Sequence, residues 1–368
     1  MCMKILEIIP QLGSGGGERF VVDLCNELVK RNEVYLVYFY PNEDARFYEG
    51  ELDKRINVKV IRKHLGFDLT LAFKLRNFIK EVKPNVVHTH LNALPYVYLA
   101  LLGINDIHCF HTVHSDALKE AGTRLMLWVR HCAFRSRRIV PVTISKQSLL
   151  SFERTYNMSA SLIYNGRNVN MPMPVSKDVE QEVDSYRNDA NTKILVNLAH
   201  IDDVKHQDML VRCVKRLTLE GYNIALMLIG RVSSLETKNK IEQEHCNNVH
   251  LLGEKKNPLE YLKYSDVFCL CSRYEGLPIS LLEAMGLGLP PVCTPVGGIV
   301  DIVENGKNGF LSGGTDEESY YSALKTFLDC SEEQIQRMEK CVADSYIPFT
   351  MTECAKQYEK LFEEYAKK

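Results

Sequence analysis

Several large functional classes are excluded by what this 368-residue chain lacks. It has twelve cysteines but no Cys-x-x-Cys, and its closest pair, Cys269 and Cys271, lies inside an apolar strand-like run. Neither a metal cluster nor a disulfide scaffold is expected; buried free thiols in a reducing compartment are. No long hydrophobic run occurs. The longest tract, Leu91 to Ile104, is broken by Asn92 and Pro95 and falls short of the roughly 20 apolar residues that span a bilayer. Met3 to Pro10 is too short for a secretory segment and leads into glycines, so the reading is cytoplasmic. The formal net charge is only −2, so there is no electrostatic footprint for nucleic acid. Tryptophan occurs once, at Trp128.

What is present reads as a soluble α/β chain. The composition is 45% hydrophobic and 25% charged, and the length suits two or three domains. Lys4 to Ile9 reads as a strand ending at Pro10. QLGSGGGERF follows, with Gly13, Gly15, Gly16 and Gly17 allowing positive φ and close backbone approach. The next helix carries Phe20, Val21, Leu24 and Leu28 on one face. Strand, glycine-rich turn and helix make a place where amides meet phosphate. Val34 to Tyr40, Asn85 to His90, Ile107 to His114 and Ile139 to Ile144 read as further strands. Leu69 to Val82 reads as a helix, and Ser145 as the N-cap of another. His88 and His90 close one strand, and His111 and His114 close another, on the side where open α/β sheets bind ligands. Their alternation resembles zinc spacing, but no acidic third ligand is near in sequence, so no metal is expected. Thr123 to Arg138 interleaves Trp128 and aliphatic residues with five arginines and a histidine. Such a helix can lie on an anionic membrane surface, or it can pack in the core with a solvated basic face.

Residues 171–191 are charged, with two prolines and little apolar period, and read as a linker. Strand–helix alternation then restarts at Lys193 to Ala199, Gln207 to Leu219 and Ile224 to Gly230. It continues through Val249 to Leu252, Val267 to Cys271 and Pro291 to Thr294. Ser272 to Gly298 holds two carboxylates, Glu275 and Glu283, around a helix start marked by Pro278. Unpaired amides there make an anion site, and the carboxylates can accept bonds from hydroxyls. On spacing alone, an ordinary amphipathic helix with one solvated glutamate stands ahead of that reading.

These residues resemble the GT-B glycosyltransferases of family 4, the retaining nucleotide-sugar transferases also called glycosyl transferases group 1. YEGLPISLLEAMGLGLPPVCTPVGG resembles the family's Glu-x7-Glu region. GGGE at Gly15 to Glu18 resembles its first-domain loop, YNGRNVN its interdomain turn, and NLAHIDDVKHQDML its phosphate segment. HTVH resembles the first-domain histidine motif, here His114. The resemblance implies two Rossmann-like doubly wound domains facing across a cleft, with a C-terminal helix crossing back to the first. The expected spans are 1–170 for the acceptor domain, 171–191 for the linker, 192–348 for the nucleotide-sugar domain and 349–368 for the returning helix. It implies Glu275, His114 and Lys205 in catalysis. It implies Gly16, Gly17, His200, Lys205, Gly276, Leu277, Pro278 and Glu283 around the donor, with Glu283 on the ribose. Glu18, His88 and His90 would serve the acceptor. No cofactor and no metal is implied, and the sequence contains no Asp-x-Asp. The partners would be a UDP-type nucleotide sugar, a saccharide or lipid-linked saccharide, and the inner face of a membrane through Thr123 to Arg138. One departure stands out. Ala199 and His200 occupy the family's Gly-Arg places, and an unperturbed histidine is cationic only below about pH 6.5.

Two rivals come from other classes. A nicotinamide oxidoreductase would use Glu43 or Asp44 on the ribose, but the dinucleotide glycine pattern fails at Glu18. A non-catalytic nucleotide-sugar-binding module would not need Glu275, Glu283 and Lys205 together.

Overall fold

The computed structural model describes residues 2–40, 46–104, 106–136, 138–169 and 176–366. Glu43, Asp44, Arg137, Asn170 and the first five residues of the expected linker lie outside them. The chain forms two compact units. One comprises Met1–Arg167 with Phe349–Lys368, and the other Asn168–Pro348.

The first unit holds β1 (Lys4–Ile8), α1 (Gly16–Leu28), β2 (Glu33–Tyr38), β3 (Asn57–Val60), α2 (Leu69–Val82), β4 (Val86–His90), α3 (Leu94–Ala100) and β5 (His108–Val113). It continues with α4 (Ala117–Ala121), α5 (Arg124–Arg135), β6 (Ile139–Thr143), α6 (Lys146–Tyr156) and β7 (Ser161–Leu162). Its seven strands run in the order β3-β2-β1-β4-β5-β6-β7, and every pair is parallel. The order reverses between β1 and β4, a switch point where such sheets place ligands. The central strands β1, β4 and β5 are nearly continuous buried runs, as a sheet covered on both faces requires, while the edge strand β3 is largely exposed. α2 begins at Asp68, whose carboxylate caps the amides of Thr70 and Leu71, and α6 begins in a Ser145–Ser148 capping box.

The second unit holds α7 (Lys177–Asp184), β8 (Lys193–Leu198), α8 (Gln207–Leu219), β9 (Ile224–Ile229), α9 (Leu235–Gln243), β10 (Val249–Gly253), α10 (Pro258–Lys263) and β11 (Val267–Leu270). It continues with α11 (Ile279–Gly286), β12 (Pro291–Cys293), α12 (Ile299–Ile302), β13 (Phe310–Leu311), α13 (Glu317–Leu328) and α14 (Glu332–Tyr346). Its strand order is β10-β9-β8-β11-β12-β13, with the reversal between β8 and β11. The last helix, α15 (Met351–Ala366), belongs to the first unit. It packs against α1, and Arg31 pairs with its Glu359 at 2.8 Å.

Three expectations need correction. Residues 177–184 of the expected linker form α7, because Val179 and Val183, one turn apart, bury one stripe of a highly charged segment. None of Gly13, Gly15, Gly16 and Gly17 adopts positive φ. Space is what the loop needs: a Cβ on Gly15 would stand 2.4 Å from the Glu18 carboxylate. Asn165-Gly166 is likewise a close approach. A Cβ on Gly166 would meet the Cys354 Cβ at 2.6 Å, under α15. All twelve cysteines are free. Among the described residues no helix is long and apolar enough to cross a membrane.

Candidate functional site

The second unit gathers the expected donor residues, except Gly16 and Gly17 at the start of α1 in the first unit, around the carboxyl ends of β8 and β11. After β8 the chain turns through residues 199–206. Lys205 amide donates to Asp202 at 2.9 Å, which curls the loop and aims the lysine inward. Lys205 Nζ donates to Glu275 Oε1 at 2.7 Å, and Ser272 Oγ donates to the same oxygen at 2.6 Å. Glu275 is nearly buried, so this is an enclosed ion pair rather than a solvated one. Arg273 amide donates to Val204 carbonyl at 2.8 Å and ties the two loops together.

Pro278 caps α11 with an extended ψ of 126°, one place before the helical position expected for it. The first amides of α11 have no partner within the helix, which favours an anion. Leu281, Leu282, Ala284 and Met285 are fully buried, and Glu283 is buried beside them. The solvated-glutamate account therefore fails. α11 is enclosed on several faces, and its carboxylate is held inside the protein. Gly297 makes this packing possible. Its φ is +60°, and a Cβ would stand 2.3 Å from Glu275 carbonyl oxygen and 2.6 Å from that of Gly276.

His200 stands at the end of β8, half-buried. Arg231 lies just past the end of the neighbouring strand β9. The ladder pairs Leu198 with Ile229, and an isolated bridge pairs Ile201 with Val232. Both pairs differ by 31 in number, so the same register sets His200 opposite Arg231. Gly230, at φ +152°, admits the close pass: a Cβ there would meet Ala199 carbonyl oxygen at 2.0 Å. Arg231 is exposed. Sequence reading missed it, since its partner lies a full strand–helix–strand away.

The first unit gathers the expected histidines around the end of β1. Residue pairing of β1 with β4 sets Glu7 against His88. Glu7 Oε2 lies 3.0 Å from His88 Nδ1 and 2.8 Å from His90 Nε2. The acidic group judged absent from this histidine pattern is therefore Glu7, brought in from a strand 81 residues away. A lone acid in the apolar run KILEII was the signal available. Glu7, His88 and His90 together could hold a metal ion. Their mutual hydrogen bonds satisfy the same atoms without one. Burial raises the Glu7 carboxyl, but attraction to His88 and hydrogen bonds from His88 and His90 outweigh it and hold it at about 2.

His88 and His90 are fully buried, so neither presents an edge to an acceptor. Their expected acceptor contact is corrected on that ground. His111 is buried too, against Arg130 and Glu120. His114 is only partly enclosed, with Gly17 close by: a Cβ there would stand 3.8 Å from its ring. A cavity of about 600 Å³ opens on this side of the unit, lined by Gln11, Glu18, Tyr40, Lys63, Phe67 and Tyr96 among others. Phe67 stacks on Tyr96 with centroids 5.3 Å apart. In α5, Trp128 and Leu125 are exposed, whereas Arg130 is buried in an ion pair with Glu120 at 2.8 Å. One of the five arginines of that stretch thus belongs to the core.

Comparison with known proteins follows the same division. The family model Glycosyltransferase Family 4 matches residues 14–170, and Glycosyl transferases group 1 matches 178–342. The O-antigen biosynthesis glycosyltransferase WbnH of Escherichia coli is 25% identical over 349 residues, covering 92% of this chain and 95% of its own. A Campylobacter jejuni N-acetylgalactosaminyltransferase acting on an undecaprenol-linked saccharide is 23% identical, with 89% of each chain covered. Among solved structures, Anabaena HepE in complex with UDP superposes with a TM-score of 0.82 at 18% identity, covering 98% of this chain and all of that one. Two doubly wound sheets, each matched by its own half of one family's pattern, leave one assignment: the chain is a GT-B glycosyltransferase of family 4, the glycosyl transferases group 1.

Proposed function

We propose that this glycosyltransferase is a metal-independent, retaining enzyme that moves a sugar from a UDP-sugar to a saccharide or lipid-linked saccharide, in cell-surface polysaccharide synthesis. The observation that carries the donor reading is the Lys205–Glu275 pair at 2.7 Å beside the start of α11. A cation, a cluster of open amides and two enclosed carboxylates converge at one sheet end. The cation and amides stabilise a departing diphosphate. Glu283 accepts from the ribose hydroxyls, and Glu275 accepts from the sugar hydroxyls near the reacting carbon. Gly276, Leu277 and Pro278 carry the backbone past the phosphates. The UDP bound by HepE supports the choice of nucleotide, and the absence of Asp-x-Asp supports catalysis without a metal.

The second cation of the phosphate grip is Arg231, acting with His200. Their shared register supplies the guanidinium that the family's own position lacks. Arg231→Ala should weaken UDP binding about tenfold, the scale of a charge-assisted hydrogen bond. His200→Arg placed on top of it should restore binding. No loss in Arg231→Ala would remove that role.

The acceptor occupies the cavity beside Glu18, where Tyr96, Phe67 and Tyr40 offer faces for sugar rings. Gly16 and Gly17 offer their amides to the donor diphosphate, and His114 touches a saccharide hydroxyl. Exposed Trp128 and Leu125, with Arg124, Arg135 and Arg138 nearby, rest on an anionic membrane surface on the cytoplasmic side. The undecaprenol-linked substrate named for the Campylobacter relative supports a lipid-borne acceptor. Thermal-shift measurement against a panel of nucleotide sugars tests the whole reading, since a ligand at a hundred times its Kd stabilises by about 2.7 kcal/mol. No shift with any UDP-sugar would overturn the donor. The anomeric configuration of the product, read by proton NMR, decides retention.

A further inference from the structure

The histidines of the first unit form a directed chain. Glu7 Oε2 accepts from His90 Nε2 at 2.8 Å, and His90 Nδ1 lies 3.0 Å from His114 Nε2. The carboxylate can only accept, so His90 carries its proton on Nε2. Neutral His90 then has a bare Nδ1, and His114 must carry its own proton on Nε2. The remaining nitrogen of His114, Nδ1, is left as a lone pair. Burial pushes His90 down to about 4, and burial with the neighbouring His90 pushes His114 down to about 3. Both rings are therefore neutral at working pH, which the chain requires.

The surroundings fix the ring in place as well as its proton. Phe20 packs edge-on against His114 at 5.5 Å and against His90 at 6.2 Å. His114 amide donates to Glu120 Oε2 at 2.7 Å, and Glu120 is itself held by Arg130 at 2.8 Å. Between His90 and this cluster, Leu91 is held at φ +52°, an uncommon backbone state for a non-glycine residue, and its carbonyl accepts from Arg130 at 3.0 Å. A second arm leaves Glu7 in the other direction. It passes through His88 to Thr112 at 2.8 Å, and from Thr112 to Tyr358 of α15 at 2.8 Å.

We infer that Glu7 and His90 are positioning residues that hold His114 in the tautomer whose Nδ1 is bare, so that His114 accepts a hydrogen bond from a hydroxyl of the saccharide substrate. A histidine of the opposite tautomer would present an N–H there, and the hydroxyl would have to accept rather than donate. The inference rests on the saccharide role given to His114 above.

Nitrogen-15 NMR of histidine-labelled wild-type protein tests it directly, with His114→Gln identifying the signal. The expected result is His114 protonated on Nε2 alone between pH 6 and 8. Protonation on Nδ1 overturns the inference, and this measurement needs no destabilised variant. Kinetics supply the second arm, reading UDP release from a panel of UDP-sugars. In Glu7→Gln one acceptor oxygen becomes an N–H donor, so His88 and His90 share the single oxygen left and the hold on the His90 proton weakens. Turnover should fall about 10- to 100-fold, with KM within about threefold. Glu7→Asp should recover part of the loss. Tyr358→Phe, equally buried but on the other arm, should stay within about threefold of wild type. Equal losses in Tyr358→Phe and Glu7→Gln would mean that the network only supports the fold. Lys205→Ala and Glu283→Ala separate the two levels. If they leave activity intact, the donor reading fails; if they abolish it while His114 shows the wrong tautomer, only this inference fails.

Discussion

The two units solve the same problem, a polar site at the switch point of a parallel sheet, in different ways. The second unit keeps its charges beyond the strand ends, on loops after β8 and β11, where a partly exposed Lys205 meets the nearly buried Glu275. The first unit sinks its charges into the sheet itself. Glu7, His88 and His90 are all fully buried, and only His114 reaches outward. The lesson concerns what each arrangement tolerates. Loops at strand ends can present a cation and a carboxylate to a ligand that arrives with its own charge. A buried acid can persist only if every lone pair is met, so its neighbours are fixed in tautomer as well as in place.

The sharpest way to break the comparison is at Glu275. Glu275→Ala should lower turnover by about 100- to 1,000-fold, and the double variant with Lys205→Ala should lose little more, because the two act as a unit. Additive losses would show two independent roles. Next comes Gly297→Ala, which forces a Cβ into Glu275 carbonyl oxygen at 2.3 Å in a left-handed residue. A loss of about 2 kcal/mol or more is expected in chemical denaturation. Glu283→Ala should weaken UDP binding about tenfold by calorimetry while leaving turnover at saturation less affected.

Acid should separate the units. Burial holds His90 and His111 at about 4, and burial with the His90 charge holds His114 at about 3, against the ordinary 6.5. The unfolded chain therefore takes up protons first as the pH falls. Stability present above pH 6.5 is lost as the pH drops from 6.5 toward 4, and Glu7, held at about 2, adds a further loss below about 4.5. In the second unit the lowered histidines are the half-buried His206 and His250, so its loss is smaller. Hydrogen exchange at pH 7 and pH 5 should show protection falling in β1, β4 and β5 before β8 and β11. The smallest effect on soluble turnover should come from Trp128→Ala, which instead should reduce sedimentation with anionic liposomes at low salt.

Much of this was legible in the residues. Leu69–Val82 and Gln207–Leu219 are the helices that their periodicity marks, residue for residue. The Glu-x7-Glu stretch announced itself because its parts are contiguous: strand, turn and helix carry their chemistry within 27 residues of chain, Ser272 to Gly298. The amide-rich helix start and Lys205 follow from the same local logic. Short elements such as β13, two residues long, left no period to read. The helix at 177–184 was masked by its charge, with only Val179 and Val183 to betray a buried stripe.

Sequence by itself determined that this is a doubly wound α/β glycosyltransferase and marked the stretches proposed to carry its donor chemistry, because local hydrophobic period and contiguous motifs survive without the fold. Only the tertiary structure decided who meets whom across the sheets. Strand register brought Glu7 to His88 and His90, and it set Arg231 level with His200 along the neighbouring chain. Register is set by packing between strands tens of residues apart, so no single stretch of chain encodes it. It turned two expected acceptor ligands into buried partners of Glu7, and it turned an exposed arginine into a candidate for the missing cation.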